Sequence, residues 1–154
     1  MNAQAPSNVG TGSQPVVVST AAGESSAYTI AINSEQPGLL APSSFNTGGK
    51  QYVAALLSDG AAYVLPPGAI AGVPSKRAQV GDTITLYGIG FGPVAPDIPA
   101  GQIVQQSNSP AQSFHLLFGQ TEATISYAGL APSAIGLYQF TCLFPAFPPT
   151  TQFP

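Results

Sequence analysis

His115 is the single histidine in the sequence, and the one side chain here whose ordinary pKa lets it pass a proton back and forth near neutrality. A nucleophile-histidine-acid arrangement would have to run through it, with Asp97, Asp82 or Glu122 as the assisting carboxylate. The chemistry in view would be hydrolysis of an ester or lactone. Its setting argues for a plainer role. In Ser113-Phe114-His115-Leu116-Leu117-Phe118, two-residue alternation puts His115 on the face opposite Phe114 and Leu116 and alongside Leu117. A partly exposed strand histidine is the favoured reading over a catalytic base. The sequence has no Gly-x-Ser-x-Gly elbow to present a serine and no His or Cys spacing suited to zinc. No catalytic residue is therefore favoured, and His115, Asp97 and Asp82 form the alternative set.

Calcium needs only carboxylates and carbonyls converging on one point, so it needs neither histidine nor cysteine. Asp59, Asp82, Asp97 and Glu122 all fall in or beside turns, but there is no Asp-x-Asp-x-Asp-Gly loop, and such a site would have to assemble from distant segments. Asp59-Gly60 and Gly81-Asp82-Thr83 read first as turn chemistry. No cofactor is called for, and Ca2+ is the alternative. Tyr87, Tyr127 and Tyr138 could line a carbohydrate or peptide surface, although core packing with a satisfied hydroxyl is the commoner use of tyrosine. Cys142 has no second cysteine to pair with, and no nearby Lys, Arg or His to lower its pKa. It reads as a small buried hydrophobe.

The elements that would position these residues are strands. The 17 Gly and 16 Pro are spread along all 154 residues and break up any long helix. Residues 14–20 carry Val16-Val17-Val18, and residues 26–33 alternate Tyr28, Ile30 and Ile32 with smaller side chains. Ala22-Gly23-Glu24-Ser25 between them reads as a hairpin turn. Residues 34–49 are rich in Pro, Gly, Ser and Asn and read as a connector anchored by Leu39, Leu40 and Phe45. A second hairpin is expected from 52–57 and 61–65 around Ser58-Asp59-Gly60. Further strands are expected at 83–87, 113–118, 123–127 and 136–142. Gly88-Ile89-Gly90-Phe91-Gly92-Pro93 places glycines at alternate positions with no helix after them, which suggests a bulge or a tightly packed edge rather than a phosphate cradle. Residues 93–108 read as a long loop of the kind that often carries binding residues.

Charge narrows the partners. Three basic residues against six acidic ones give a net charge of -3. So few cations, with no tryptophan for stacking, make nucleic acid a poor partner. No apolar run approaches the roughly 18 residues needed to cross a bilayer, so no membrane span is expected. Solubility has to come from Ser, Thr, Gln and Asn, a surface that keeps molecules apart weakly.

Three stretches resemble one known family: Asn2-Ala3-Gln4-Ala5-Pro6, the run from Val80-Gly81-Asp82-Thr83 through Gly90-Phe91-Gly92-Pro93-Val94, and Tyr127-Ala128-Gly129-Leu130-Ala131-Pro132 followed by Gly136-Leu137-Tyr138-Gln139-Phe140. Together they resemble the Solibacter-type uncharacterised carboxy-terminal domain of secreted acidobacterial proteins, a relative in style of immunoglobulin-like, IPT-type modules. The resemblance implies an all-β, immunoglobulin-like antiparallel β-sandwich, a parent protein that is secreted or at the cell surface, and no established catalytic residues. Residues 1–12 lack the basic start and apolar stretch of an export signal. Set against the family pattern, residues 1–33 are expected to be a hairpin left from a preceding unit, 34–49 a connector, 50–142 the sandwich, and 143–154 an irregular Pro-rich tail resembling a frameshifted terminus. A sandwich missing strands would expose an edge, so the leading hairpin is expected to add to the sheet of 50–142, and any remaining edge is expected to promote a homodimer. The leading expectation for function is a non-catalytic structural or adhesive module whose partners are neighbouring domains or other surface proteins. The alternatives are a small, calcium-assisted or His115-dependent hydrolase and a carbohydrate-binding module.

Overall fold

The computed structural model describes residues 4–6 and 8–147. Asn2 and Ala3, at the start of the family-like stretch, lie outside the described residues, as does the 148–154 part of the tail. The chain is nearly all β, and the one helical element among the described residues is the short 3-10 turn Ser43–Phe45.

The Thr83–Ile89 strand sits at the centre because its sequence is the cleanest two-residue alternation in the chain. Ile84 and Leu86 are buried on one face, while Thr83, Thr85 and Tyr87 are half-buried on the other. It pairs antiparallel with Tyr138–Leu143, from Thr83 opposite Leu143 to Gly88 opposite Tyr138. Its other side takes Ala55–Leu57 and, further along, Gly38–Leu39. Tyr138–Leu143 in turn pairs with Thr124–Leu130, which ends the sheet on that side. On the opposite side Tyr63–Val64 pairs antiparallel with Ala55–Leu57, and Ser75–Lys76 runs parallel to Tyr63–Val64. The result is a mixed, seven-stranded sheet.

One face of this sheet is apolar. Ile84, Leu86, Tyr138, Phe140 and Cys142 are buried together with Ala55, Leu57 and Leu130. The cover comes from residues 91–123, of which Val94, Val104 and Ala123 are buried, with Phe91, Ile98, Phe114 and Phe118 packed against them. The covering layer is built from two short ladders, Val94–Ala95 with Ser109–Pro110 and Leu117–Phe118 with Thr121–Glu122, and from loops. Phe140, 1% exposed, is the hub: its ring centroid lies 4.6 Å from Phe91 and 5.1 Å from Phe114. The opposite face is polar, with the Thr85 and Thr141 hydroxyl oxygens 3.3 Å apart across the central pair.

The leading hairpin behaves differently from expectation. Gly12–Val16 pairs with Tyr28–Ile32, and Ser19–Thr20 with Gly23–Glu24, but neither ladder joins the seven-stranded sheet. Most of its residues are exposed, including Val16, Val17, Val18 and Tyr28. The segment read as a connector does join the sheet, since Gly38–Leu39 pairs with the end of the Thr83–Ile89 strand. The alternating glycines allow this. A Cβ at Gly90, whose φ is +79, would lie 2.1 Å from the Gln36 carbonyl oxygen, and the Gln36 amide donates to the Gly90 carbonyl at 2.9 Å. The close packing expected from the glycine pattern is present, at the end of a central strand paired on both sides rather than at an edge. Phe45, one of the expected anchors, is buried with its ring 5.0 Å from Tyr63 in an edge-on arrangement.

Replacing the hub should be costly. Phe140→Ala is expected to lower the stability of the sheet by about 3–5 kcal/mol, read from the urea midpoint. A loss below about 1 kcal/mol, the scale of an ordinary surface substitution, would mean that the core lies elsewhere.

Candidate functional site

The residues singled out for chemistry are distributed over the covering layer and the turns. His115 stands just before the Leu117–Phe118/Thr121–Glu122 hairpin, whose two-residue turn brings Glu122 back beside it. Its Nδ1 lies 2.7 Å from the Glu122 Oε1, with the two side chains 71% and 58% exposed. This is a solvated pair held by hairpin register, and in water such pairs contribute little to stability.

His115 also lines a small cleft of about 210 Å³, with Glu35, Pro37, Phe91, Pro110 and Phe114 among the other walls. Glu35 was not anticipated from the sequence. It reaches this place because the 34–40 segment is bound along the glycine-rich end of the central strand, and its side chain packs where a Cβ on Gly92 would come within 3.0 Å.

The other carboxylates serve their own turns. The Asp59 Oδ1 accepts from the Ala61 amide at 2.9 Å, and the Asp82 Oδ2 accepts from the Gln79 amide at 2.8 Å. Asp97 is exposed, two residues beyond Ala95. Among the described residues no three His, Cys, Asp or Glu side chains come together where they could hold a metal ion. Asp59, Asp82, Asp97 and Glu122 are thus not brought together as a calcium site would require, and neither Asp82 nor Asp97 joins His115 and Glu122 in such a group.

The tyrosines divide. Tyr138 is buried, with its hydroxyl donating to the Gly92 carbonyl. Burial, and secondarily the Glu35 carboxylate, raise its pKa above the ordinary phenol value. It is a core residue rather than part of a binding surface. Tyr87 is half-buried, and its carbonyl accepts from the Leu40 amide at 2.8 Å. Tyr127 is half-buried too, and its hydroxyl donates to the Leu130 carbonyl at 2.7 Å. Tyr127 lines a cleft as well. Cys142 is fully buried, and burial pushes its thiol pKa up, as suits an inert packing residue.

A second and larger cleft, of about 390 Å³, opens between residues 109–114 and the Thr124–Leu130 strand. It lies at the edge of that strand, beside Ser109–Pro110. At one end Asn108, a buried polar residue, stands in for a strand partner: the Leu130 amide donates to its Oδ1 at 2.6 Å, and its Nδ2 donates to the Leu130 carbonyl at 3.3 Å. The approach requires glycine at 129, where a Cβ would come within 2.6 Å of the Asn108 Oδ1. At the other end the Ala123 amide donates to the Leu116 carbonyl at 2.9 Å. Between these pins Ser109–Pro110 turns to pair with Val94–Ala95, and the Ala111 amide donates to the Pro93 carbonyl. Residues 109–110 stay packed beside the Thr124–Leu130 strand, and the cleft opens alongside them. Nothing in the local sequence marks Asn108 for this role, because the signal is a tertiary hydrogen bond.

No protein-family model matches this chain, and neither does any curated protein or solved structure.

Asn108→Ala would leave the buried Leu130 amide without its acceptor, at an expected cost of about 1–3 kcal/mol. Urea unfolding would measure this. An unchanged midpoint would show that the Asn108 pin is dispensable.

Proposed function

We propose that this chain is a non-catalytic, immunoglobulin-like structural or adhesive module of a secreted or cell-surface bacterial protein, of the Solibacter-type carboxy-terminal kind. The observation that carries the reading is the leading hairpin. It is paired only with itself among the described residues, and it displays Val16, Val17, Val18 and Tyr28 to solvent. Its only charge is Glu24. Isolated two-stranded hairpins are marginal in water, and an exposed apolar ribbon gains by burial against something else. Sparse charge over the rest of the chain supports the same use, since it offers little repulsion to a neighbouring domain or surface protein. Two packed layers around a one-sided apolar sheet are compatible with the immunoglobulin-like architecture that the family resemblance implies.

The hairpin's role is testable by retention on a hydrophobic-interaction column. Val17→Asp combined with Val18→Asp is expected to weaken retention clearly, with the urea midpoint of the sheet unchanged. Equal retention of the variant and the parent chain would contradict an adhesive hairpin.

A second reading, a small hydrolase of esters or lactones, is favoured by one observation: the His115–Glu122 pair at 2.7 Å, beside a cleft that also holds Glu35. Chromogenic short-chain esters and acyl lactones, assayed with and without EDTA, separate the two readings. Under the module reading the chain gives no turnover above a heat-treated control, and His115→Ala changes nothing. Turnover lost in His115→Ala would replace that reading with the hydrolase.

A further inference from the structure

The small cleft beside His115 holds an acid that the chain itself leaves unmatched. Glu35 lines this cleft and lies against Gly92, where the absence of a Cβ gives its side chain room. Among the described residues no hydrogen bond or ion pair engages its carboxylate. The Tyr138 hydroxyl donates to the Gly92 carbonyl instead, and His115 is held through its Nδ1 by Glu122. None of the three basic side chains, Lys50, Lys76 and Arg77, lines the cleft.

The remaining walls are apolar and stiff. Phe91 and Phe114 are half-buried and rest on the Phe140 hub, with ring centroids 4.6 and 5.1 Å from it, so they are in place before anything binds. Pro37 and Pro110 add two rings whose backbone torsion is fixed. Gln112 and Ser113 are exposed on the rim and offer an uncharged amide and hydroxyl. At about 210 Å³ the cleft is smaller than the roughly 300–1,000 Å³ of sites that enclose a drug-sized ligand. One long side chain entering from outside is the closer match. An aliphatic stem with a cationic head answers both features of the lining: the stem packs along apolar walls, and the head meets a carboxylate in a charge-assisted hydrogen bond.

We infer that this cleft receives the side chain of an arginine or lysine presented by a partner protein, with the head on Glu35 and the stem against Phe91 and Phe114. The partner's backbone then lies over Gln112 and Ser113. A pocketed anchor residue ringed by polar groups is the common plan of a protein interface. The inference rests on the adhesive reading above and names the chemistry that the partner must carry. It does not depend on the leading hairpin, none of whose residues lines the cleft.

Titrating the isotope-labelled chain with a blocked Gly-Arg-Gly peptide at millimolar concentrations, followed by NMR, tests this. The amides of Gly92, Ser113, Phe114 and His115 should shift together and saturate. The same peptide with citrulline in place of arginine, alike in shape but uncharged, should leave them unmoved. So should methylammonium, which brings the charge without the stem. Glu35→Gln is expected to weaken binding of the arginine peptide about tenfold, the scale of one lost charge-assisted hydrogen bond. Glu24→Gln, which removes a carboxylate on the hairpin, is expected to change nothing. Citrulline binding as well as arginine, methylammonium binding as well as the peptide, or equal affinity in Glu35→Gln and the parent chain overturns the inference. Should Glu35→Gln fail to fold, the first two comparisons on the parent chain decide. An arginine peptide that moves no amide of the cleft overturns the inference too. With hairpin-dependent column retention intact, that result removes the cation site alone, and loss of both removes the adhesive reading as well.

Discussion

The structure depends on burying one face of a central antiparallel pair. Thr83–Ile89 and Tyr138–Leu143 place Ile84, Leu86, Phe140 and Cys142 on one side, and everything else is arranged to keep water off them. With few charges available for solvation or ion pairing, apolar burial is the main favourable term, at about 25 cal/mol per Å² removed from water. The covering layer of residues 91–123 follows from that need. It carries its own rings, Phe91 and Phe114, to the Phe140 hub rather than relying on a second continuous sheet.

Two consequences of this arrangement shape the surface. In that cover Ser109–Pro110 pairs with Val94–Ala95 and also packs beside Thr124–Leu130, with the cleft opening next to them. Meanwhile the glycine-rich end of the central strand admits the 34–40 segment, which places Glu35 near Tyr138 and seats Gly38–Leu39 on the sheet. The leading hairpin lies outside that sheet, paired with itself and exposed.

The strands at the heart of the sheet were legible because alternation of apolar and polar residues is a local property. The 83–87 and 136–142 expectations correspond to Thr83–Ile89 and Tyr138–Leu143, and the Asp59-Gly60 turn lies where its turn chemistry put it. The tight packing at Gly88 and Gly90 was legible as well, because glycine at alternate strand positions signals a close neighbour. Placement between elements was not legible. The sequence shows a hairpin at 14–33 but says nothing of which edge it meets, since pairing of distant strands depends on competition among segments. The contact of His115 with Glu122 follows from hairpin register, and the grip of Asn108 on Leu130 spans 22 residues. For Tyr138 the commoner use of tyrosine holds, core packing with its hydroxyl satisfied by the Gly92 carbonyl, a partner 46 residues away that local alternation does not reveal.

The central claim is that the seven-stranded sheet and its cover form one cooperative unit while the leading hairpin stands apart from it. Native-state hydrogen exchange, at dilutions that keep the chain monomeric, tests this most directly, because exchange through local opening and through global unfolding have different free energies. Amides of Thr83–Ile89 and Tyr138–Leu143 should exchange only with global unfolding, and those of Gly12–Val16 and Tyr28–Ile32 through a much cheaper local opening. Hairpin amides protected as strongly as those of the central pair would contradict the account.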